Sequence, residues 1–171
     1  MDLRPHPDTP CPELERLSAT VAREGDRLRL TYTGVGAIAA LRWPTPIAPD
    51  RTDGLWQTTC FEAFVRAGGE PAYAEFNFAP SGAWAAYQFD AYRAGMAPLA
   101  MPAPLIAATR AATGFELMAT LILPSPGPWR LGLSAVIEDQ AGAKSYWALA
   151  HPPGKPDFHH PDCFALALEH P

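Results

Sequence analysis

Cysteines, basic residues and long apolar runs are all scarce in this sequence. Three cysteines among 171 residues, with no CxxC spacing, argue against a disulfide framework or a thiolate zinc site and favour a reducing compartment. Lys and Arg total 13 against 18 Asp and Glu, and they form no run, so no basic surface for nucleic acid or an anionic membrane is expected. No stretch approaches the roughly 18 apolar residues of a membrane span, and no signal-peptide core precedes the domain. We therefore expect a soluble, cytoplasmic protein.

The recurring catalytic and cofactor motifs are missing as well. The sequence has no GxSxG elbow, no GxGxxG or P-loop pattern, no HExxH pair and no CxxCH haem attachment. No cofactor is therefore predicted, and a non-catalytic domain is favoured, although the sequence leaves enzymatic activity open. Nothing in the residues specifies an oligomeric state.

The residues that are present indicate one loop-rich β domain over residues 1–171. Hydrophobic residues make up 48% of the chain, and 20 prolines and 13 glycines separate short apolar or alternating runs. Such spacing predicts an all-β, two-sheet antiparallel β-sandwich of jelly-roll type. The eleven runs are Leu17–Arg23, Arg27–Thr33, Ala37–Trp43, Thr58–Arg66, Ala72–Phe78, Ala83–Phe89, Leu105–Ala111, Phe115–Leu123, Trp129–Glu138, Lys144–His151 and Cys163–Leu168.

Two of these runs form a predicted hairpin with one apolar and one polar face. Side chains alternate between the faces of a strand, so the apolar face carries Phe61, Ala63, Val65, Ala74, Phe76 and Phe78. The other face carries Glu62, Glu75 and Asn77. Opposed residues share a face, so either Glu62 faces Glu75, or Glu62 faces Asn77. Both registers place a carboxyl and an amide group together.

A first candidate site consists of Trp56, Thr58, Glu62, Glu75 and Asn77, which share strand parity or lie on the polar face. Sugar binding uses a flat aromatic surface for the apolar ring face, together with fixed carboxyl or amide groups for the hydroxyls. This set has that composition. Two alternatives stay open: a solvated polar face with a tryptophan at its edge, or a general acid and base for glycoside cleavage.

A second candidate site is the long loop 151–162, which concentrates His151, Lys155, His159, His160 and Asp162. Long loops that follow strands often carry binding groups. The histidines could cap turns, contact a ligand or bind a divalent metal together with Asp162. The spacing matches no established zinc pattern, and no metal site is predicted.

A third stretch, residues 80–96, follows the hairpin. Its aromatic residues, Tyr87 and Phe89 among them, are expected in the core, and Arg93 is a candidate hydrogen-bond donor to a ligand. Met96 together with a histidine gives a haem-binding alternative.

Three segments resemble the DOMON-like superfamily, which includes the family 9 carbohydrate-binding modules, over about residues 28–168. They are Trp56-Gln-Thr-Thr-Cys-Phe-Glu62-Ala-Phe64, Tyr73-Ala-Glu75-Phe-Asn77-Phe-Ala-Pro80-Ser-Gly82 and Asp162-Cys-Phe164-Ala-Leu166-Ala-Leu168.

The resemblance implies a β-sandwich that binds sugars or haem on one concave face. In the sugar-binding modules two tryptophans clamp the sugar ring, and a glutamate lies six residues after the first. The resemblance thus implies Trp56 and Glu62 as ligand contacts, Trp147 as the second clamp, and Glu75 or Asn77 as a further polar contact. The leading hypothesis is a non-catalytic domain that binds a small, sugar-like ligand. A carboxylate- or metal-based hydrolase and a haem-binding domain are the alternatives.

Overall fold

The computed structural model describes residues 1–123 and 128–169, which form an all-β structure with no α-helix in those ranges. Three single-turn 3₁₀ helices span Ile38–Ala40, Leu55–Gln57 and Pro161–Cys163. None of these short helices is long or apolar enough to cross a membrane. The strands of the described residues are β1 (Asp2–Pro5), β2 (Leu14–Glu24), β3 (Arg27–Gly36), β4 (Cys60–Ala67), β5 (Tyr73–Phe78), β6 (Trp84–Phe89), β7 (Ala97–Pro98), β8 (Leu105–Arg110), β9 (Gly114–Ile122), β10 (Trp129–Glu138), β11 (Lys144–Ala148) and β12 (Leu166–Leu168).

The predicted runs match these strands with one exception and two omissions. The run Ala37–Trp43 is not a strand: it contains a 3₁₀ turn and a single bridge from Leu41 to Asp139. Its two buried apolar residues, Ile38 and Leu41, are three positions apart, which is the period of a 3₁₀ helix and not of a strand. The omitted strands, β1 and β7, are short and contain proline, which weakens their sequence signal.

All strand pairs among the described residues are antiparallel, and the strands form one continuous, curled sheet. Its order is β7-β6-β5-β4-β10-β11-β1-β2-β3-β9-β8, and β12 pairs with β10. Strand β1 pairs with β11 on one side and β2 on the other, so it joins the two halves of the sheet. The prediction of an all-β, antiparallel structure is confirmed, and the strands form one curled sheet.

The main core lies inside the curl, between strands from both halves. Tyr32 of β3 and Phe61 of β4 have ring centroids 5.1 Å apart, and the Phe61 ring is 5.5 Å from Phe115 of β9. The Tyr32 hydroxyl donates a 2.7 Å hydrogen bond to the Glu62 carbonyl oxygen. The predicted apolar face of the β4–β5 hairpin lies in this core, as the alternation indicated.

The other face of β4 and β5 is covered as well. A second, smaller apolar cluster joins Phe64 and Phe89 to Leu55 in the segment before β4, and to Phe158 and Phe164 in the loop after β11. Because segments from distant parts of the chain cover this face incompletely, a cavity remains beside the polar residues of the hairpin.

Candidate functional site

The register of the β4–β5 hairpin places two glutamates on the covered polar face. Glu62 pairs with Asn77, and Phe64 pairs with Glu75, which is one of the two registers that the sequence left open. Glu62 and Glu75 are therefore diagonal neighbours across two adjacent strands. The backbone of the hairpin thus fixes both carboxyl groups on one surface.

A cavity of about 350 Å³ lies over this surface. Its lining combines two glutamates, one arginine and one histidine with an apolar and aromatic wall. Trp56, in the 3₁₀ turn before β4, is 40% exposed, and its ring makes an edge contact with Tyr87 at 6.0 Å. The lining residues are Trp56, Glu62, Phe64, Glu75, Phe89, Arg93, Met96, Val136, Tyr146, Pro156, Phe158 and His159.

Glu62 is 2% exposed, so its carboxyl group lies deep in the cavity. The Ser134 hydroxyl of β10 donates a 3.3 Å hydrogen bond to its Oε2 atom. Burial, and secondly the charge of Glu75, raise the pKa of Glu62 well above its ordinary value. A carboxyl group in the protonated form can both donate and accept hydrogen bonds, as a sugar hydroxyl does.

Glu75 is held by one hydrogen bond and lies beside a histidine. The Asn77 side-chain amide donates a 2.7 Å hydrogen bond to Oε1, and the Nε2 atom of His159 lies 3.7 Å from Oε2. Burial raises the pKa of Glu75, and the Asn77 hydrogen bond and the Arg93 charge oppose that increase. Asn77 itself is fully buried and outside the cavity lining, so it orients Glu75 and does not face the cavity.

His159 comes from the loop after β11 and is the member of the histidine loop that reaches the cavity. Its Nδ1 atom lies 2.8 Å from the Tyr73 hydroxyl, in hydrogen-bond contact. Burial, and then the charge of Arg93, lower the pKa of His159 to about 4. The imidazole is therefore neutral near pH 7 and acts as a polar, uncharged wall.

Arg93 lines the cavity but is already paired. It has a left-handed backbone conformation, with φ of 52°, and its backbone N–H donates a 3.2 Å hydrogen bond to the Tyr73 hydroxyl. Its guanidinium donates to Asp157 Oδ1 at 2.7 Å, and the Tyr92 hydroxyl donates to the other oxygen of Asp157. This ion pair connects the loop after β6 to the loop after β11.

Trp147 is not in the cavity, so the expected pair of tryptophan rings does not form. It is 3% exposed in the main core, and its indole N–H donates to the Ser145 hydroxyl at 2.9 Å. The reason is the pairing of β11 with β10: Trp147 is opposite Ala135 on the core side, whereas Tyr146 is opposite Val136. Tyr146 and Val136 both line the cavity.

The remaining predicted site residues are also away from the cavity lining. The Thr58 hydroxyl donates to the Leu55 carbonyl at 3.4 Å, so it closes the 3₁₀ turn that carries Trp56. Lys155 is exposed. His151 forms a 2.8 Å contact with the Arg4 carbonyl, and the His160 ring accepts the Asp162 N–H at 3.3 Å.

The three histidines of the loop therefore point to three different places. No group of three His, Cys, Asp or Glu side chains that could hold a metal ion is found in residues 1–123 and 128–169. His159 and Met96 do line the same cavity, as a haem site would require. However, the two ring nitrogens of His159 face Tyr73 and Glu75, so this arrangement does not fit axial ligation of iron.

Several cavity residues were not anticipated from the sequence. Tyr146 lies opposite Val136 of the neighbouring strand, a pairing that only the structure shows, and Phe89 was expected only as core. Phe158 and Pro156 belong to a loop, where no periodic signal indicates the direction of a side chain.

Comparisons with known proteins show similarity in fold. No protein-family model matches the sequence, and the search of curated proteins gave no match. A solved structure from Bacteroides uniformis, of a protein provisionally assigned as carbohydrate-binding, matches 98% of this chain and 86% of its own, with a TM-score of 0.67 and 18% identity.

A family 9 carbohydrate-binding module from Caldicellulosiruptor kristjanssonii in complex with cellotriose matches 81% of this chain and 67% of its own, with a TM-score of 0.51 and 9% identity. A family 9 module from the same organism in complex with glucose gives a TM-score of 0.49 at 10% identity, over 81% of this chain and 69% of its own. The chain is thus similar in fold to carbohydrate-binding proteins.

Proposed function

We propose that the chain is a non-catalytic carbohydrate-binding domain that holds one or two sugar units in the cavity above the β4–β5 hairpin. The observation that carries the proposal is the composition of this one cavity: two buried carboxyl groups, Glu62 and Glu75, and a partly exposed indole, Trp56. A volume of about 350 Å³ is near the lower end for ligand pockets, which suits a small ligand.

The aromatic wall is suited to the apolar face of a sugar ring. The Trp56 ring is packed by an edge contact with Tyr87 and still exposes 40% of its surface. It therefore presents a flat indole surface, restrained by Tyr87, to a ligand. Tyr146 and Phe158, whose ring centroids are 6.0 Å apart, add a second aromatic surface. In this proposal they replace the second tryptophan that the sequence resemblance implied.

The polar groups are suited to hydroxyl groups. Burial raises the pKa of Glu62, which favours the protonated form, and in that form its carboxyl group can donate to one hydroxyl and accept from another; Glu75 is oriented by Asn77. Each hydrogen bond exchanges for one with water, so its net contribution is only about 0.5–1.5 kcal/mol. We therefore expect dissociation constants in the micromolar range or weaker.

The non-catalytic part of the proposal has its own test. Glycoside hydrolysis by a carboxyl pair uses one protonated group and one ionised group. Sugar recovered unchanged after prolonged incubation with the protein would agree with binding alone, and released product would contradict it.

The structural similarity supports the proposal at the level of fold. Two of the compared structures are of proteins described as carbohydrate-binding, and one of them holds cellotriose. We extend the proposal to membership of the DOMON-like superfamily, with the two halves of the curled sheet acting as the two layers of a sandwich.

The direct test is isothermal titration with cellotriose and glucose at millimolar concentrations, on the wild-type protein and on Trp56→Ala. If a sugar ring covers about half of the exposed indole, roughly 50 Å² at about 25 cal/mol per Å² gives about 1.3 kcal/mol. Aromatic stacking adds to this burial contribution, so the variant should lose about 1–2 kcal/mol, a five- to thirtyfold weaker Kd.

Ile122→Ala is the matched control for this test. Ile122 is 39% exposed, close to the value for Trp56, and lies at the end of β9, outside the cavity lining. Its Kd should equal that of the wild-type protein. Equal Kd values for Trp56→Ala and the wild-type protein would remove Trp56 from the site, and no heat with a panel of mono- and oligosaccharides would refute the proposal.

A further inference from the structure

The cavity contains more acidic than basic groups. Three carboxyl groups, those of Glu62, Glu75 and Asp157, lie in or beside it, whereas Arg93 is the one Lys or Arg among the described lining residues. Arg93 is ion-paired with Asp157 at 2.7 Å, and His159 is neutral near pH 7. Neither glutamate of the hairpin therefore has a Lys or Arg side chain of residues 1–123 and 128–169 in close contact.

The other titratable groups nearby add no charge at neutral pH. Tyrosine and cysteine side chains are either neutral or negative, and burial raises the pKa of Tyr32, Cys60 and Tyr73, so these side chains stay neutral. The contact between His159 Nε2 and Glu75 Oε2 is 3.7 Å, longer than a hydrogen bond. A cation brought by the ligand would therefore meet two carboxyl groups that form no close ion pair with a Lys or Arg side chain of the described residues.

The walls of the cavity are suited to the same kind of group. Trp56, Phe64, Phe89, Tyr146 and Phe158 all contribute aromatic rings to the lining. The face of an aromatic ring carries partial negative charge and attracts a desolvated ammonium ion. Aromatic walls around buried carboxyl groups are thus complementary to a ligand that is both apolar on one face and positively charged.

We propose that the preferred ligand of this cavity is a sugar unit that carries a protonated primary amine, a hexosamine, whose ammonium group lies against Glu62 and Glu75. This inference rests on the proposed function, because it assigns the class of sugar bound at the same site. Charge-assisted hydrogen bonds are about twice as strong as neutral ones, so the amine should improve affinity at least tenfold over the same sugar with a hydroxyl.

Binding of the ammonium should also release a proton. Burial raises the pKa of Glu62 in the empty cavity, and a bound ammonium lowers it, so formation of the ion pair should shift Glu62 toward its carboxylate and pass a proton to the solvent. The amine stays protonated, and the one bond that breaks is the O–H bond of the Glu62 carboxyl group, whose proton passes to the buffer. Neutral sugars should bind without this proton release.

The experiment compares glucosamine, N-acetylglucosamine and glucose by isothermal titration at about pH 6.5, in two buffers that differ in ionisation enthalpy. We expect glucosamine to bind at least tenfold more tightly than glucose, with a buffer-dependent enthalpy that reports the released proton. N-acetylglucosamine, which has no charge, should show neither effect. Glucose binding with equal or weaker binding of glucosamine would overturn this inference and leave the proposed function standing, whereas binding of none of the three, nor of cellotriose, would overturn both.

Two variants locate the effect. Glu62→Gln keeps the shape of the side chain and removes the carboxyl group, so the ratio of the glucosamine and glucose affinities should fall toward one; Glu75→Gln is the second variant if the first does not fold. Glu138→Gln is the matched control: Glu138 is 5% exposed, but it is paired with Arg42 at 3.0 Å and lies outside the cavity lining. A ratio that survives in both cavity variants, or that falls equally in Glu138→Gln, would overturn the assignment of the ammonium to these carboxyl groups.

Discussion

Tyr146 and Trp147 are adjacent in the chain but on opposite faces of β11, so their substitution by alanine should have opposite consequences. Trp147 is 3% exposed in the main core. Truncating a buried tryptophan costs about 3–5 kcal/mol, which for a domain of this size lowers the melting temperature by roughly 6–20 °C. Tyr146 is only partly buried and lines the cavity, so Tyr146→Ala should cost about 1 kcal/mol of stability and weaken sugar binding about fivefold.

The assay combines thermal unfolding of both variants with titration of cellotriose below the melting temperature of each. Trp147→Ala should unfold early but bind sugar with the affinity of the wild-type protein, because its ring does not contact the cavity. Tyr146→Ala should unfold at nearly the temperature of the wild-type protein but bind sugar more weakly. Weaker binding by folded Trp147→Ala, together with unchanged binding by Tyr146→Ala, would show that the faces of β11 have been assigned wrongly.

Two further predictions concern stability. The folded-state pKa of Glu62 is raised, so its contribution to stability is complete below about pH 4.5, the unfolded value, and is lost as the pH rises through the folded value. The free energy of unfolding of Glu62→Gln, measured with denaturant, should therefore increase relative to that of the wild-type protein as the pH rises above about 4.5. A difference between the two proteins that stays constant with pH would contradict this. Gly34→Ala would place a methyl group closer to the Phe115 ring than van der Waals contact allows, so it should lower the free energy of unfolding by about 1–3 kcal/mol; an unchanged melting temperature would show that no such clash occurs.

Strand alternation was enough to predict the hairpin and the face that carries its carboxyl groups. Side chains on one strand alternate strictly, so the parity of Glu62 follows from that of the buried Phe61. Alternation could not choose between the two registers, because both keep Glu62 and Glu75 on one face. The loop between the strands decides the register, and that geometry is not readable from the residue types alone.

Trp147 shows where the same reasoning fails. Parity relates residues within one strand, and it does not say which face of that strand meets the cavity. For β11 this depends on how the strand pairs with β10, and β10 is distant in the sequence from β4, which carries Glu62. The resemblance suggested a late tryptophan, whereas the pairing of Ala135 with Trp147 directs its ring into the core and leaves Tyr146 at the cavity. Loop residues such as Phe158 have no alternation at all, so only the folded chain shows which of them face the cavity.

A crystal structure of the protein grown with cellotriose would show whether a sugar occupies the cavity above the hairpin. We expect a sugar ring against the face of Trp56, with hydroxyl groups within hydrogen-bond distance of the Glu62 and Glu75 carboxyl oxygens. A sugar bound on another surface, with this cavity empty, would contradict this expectation.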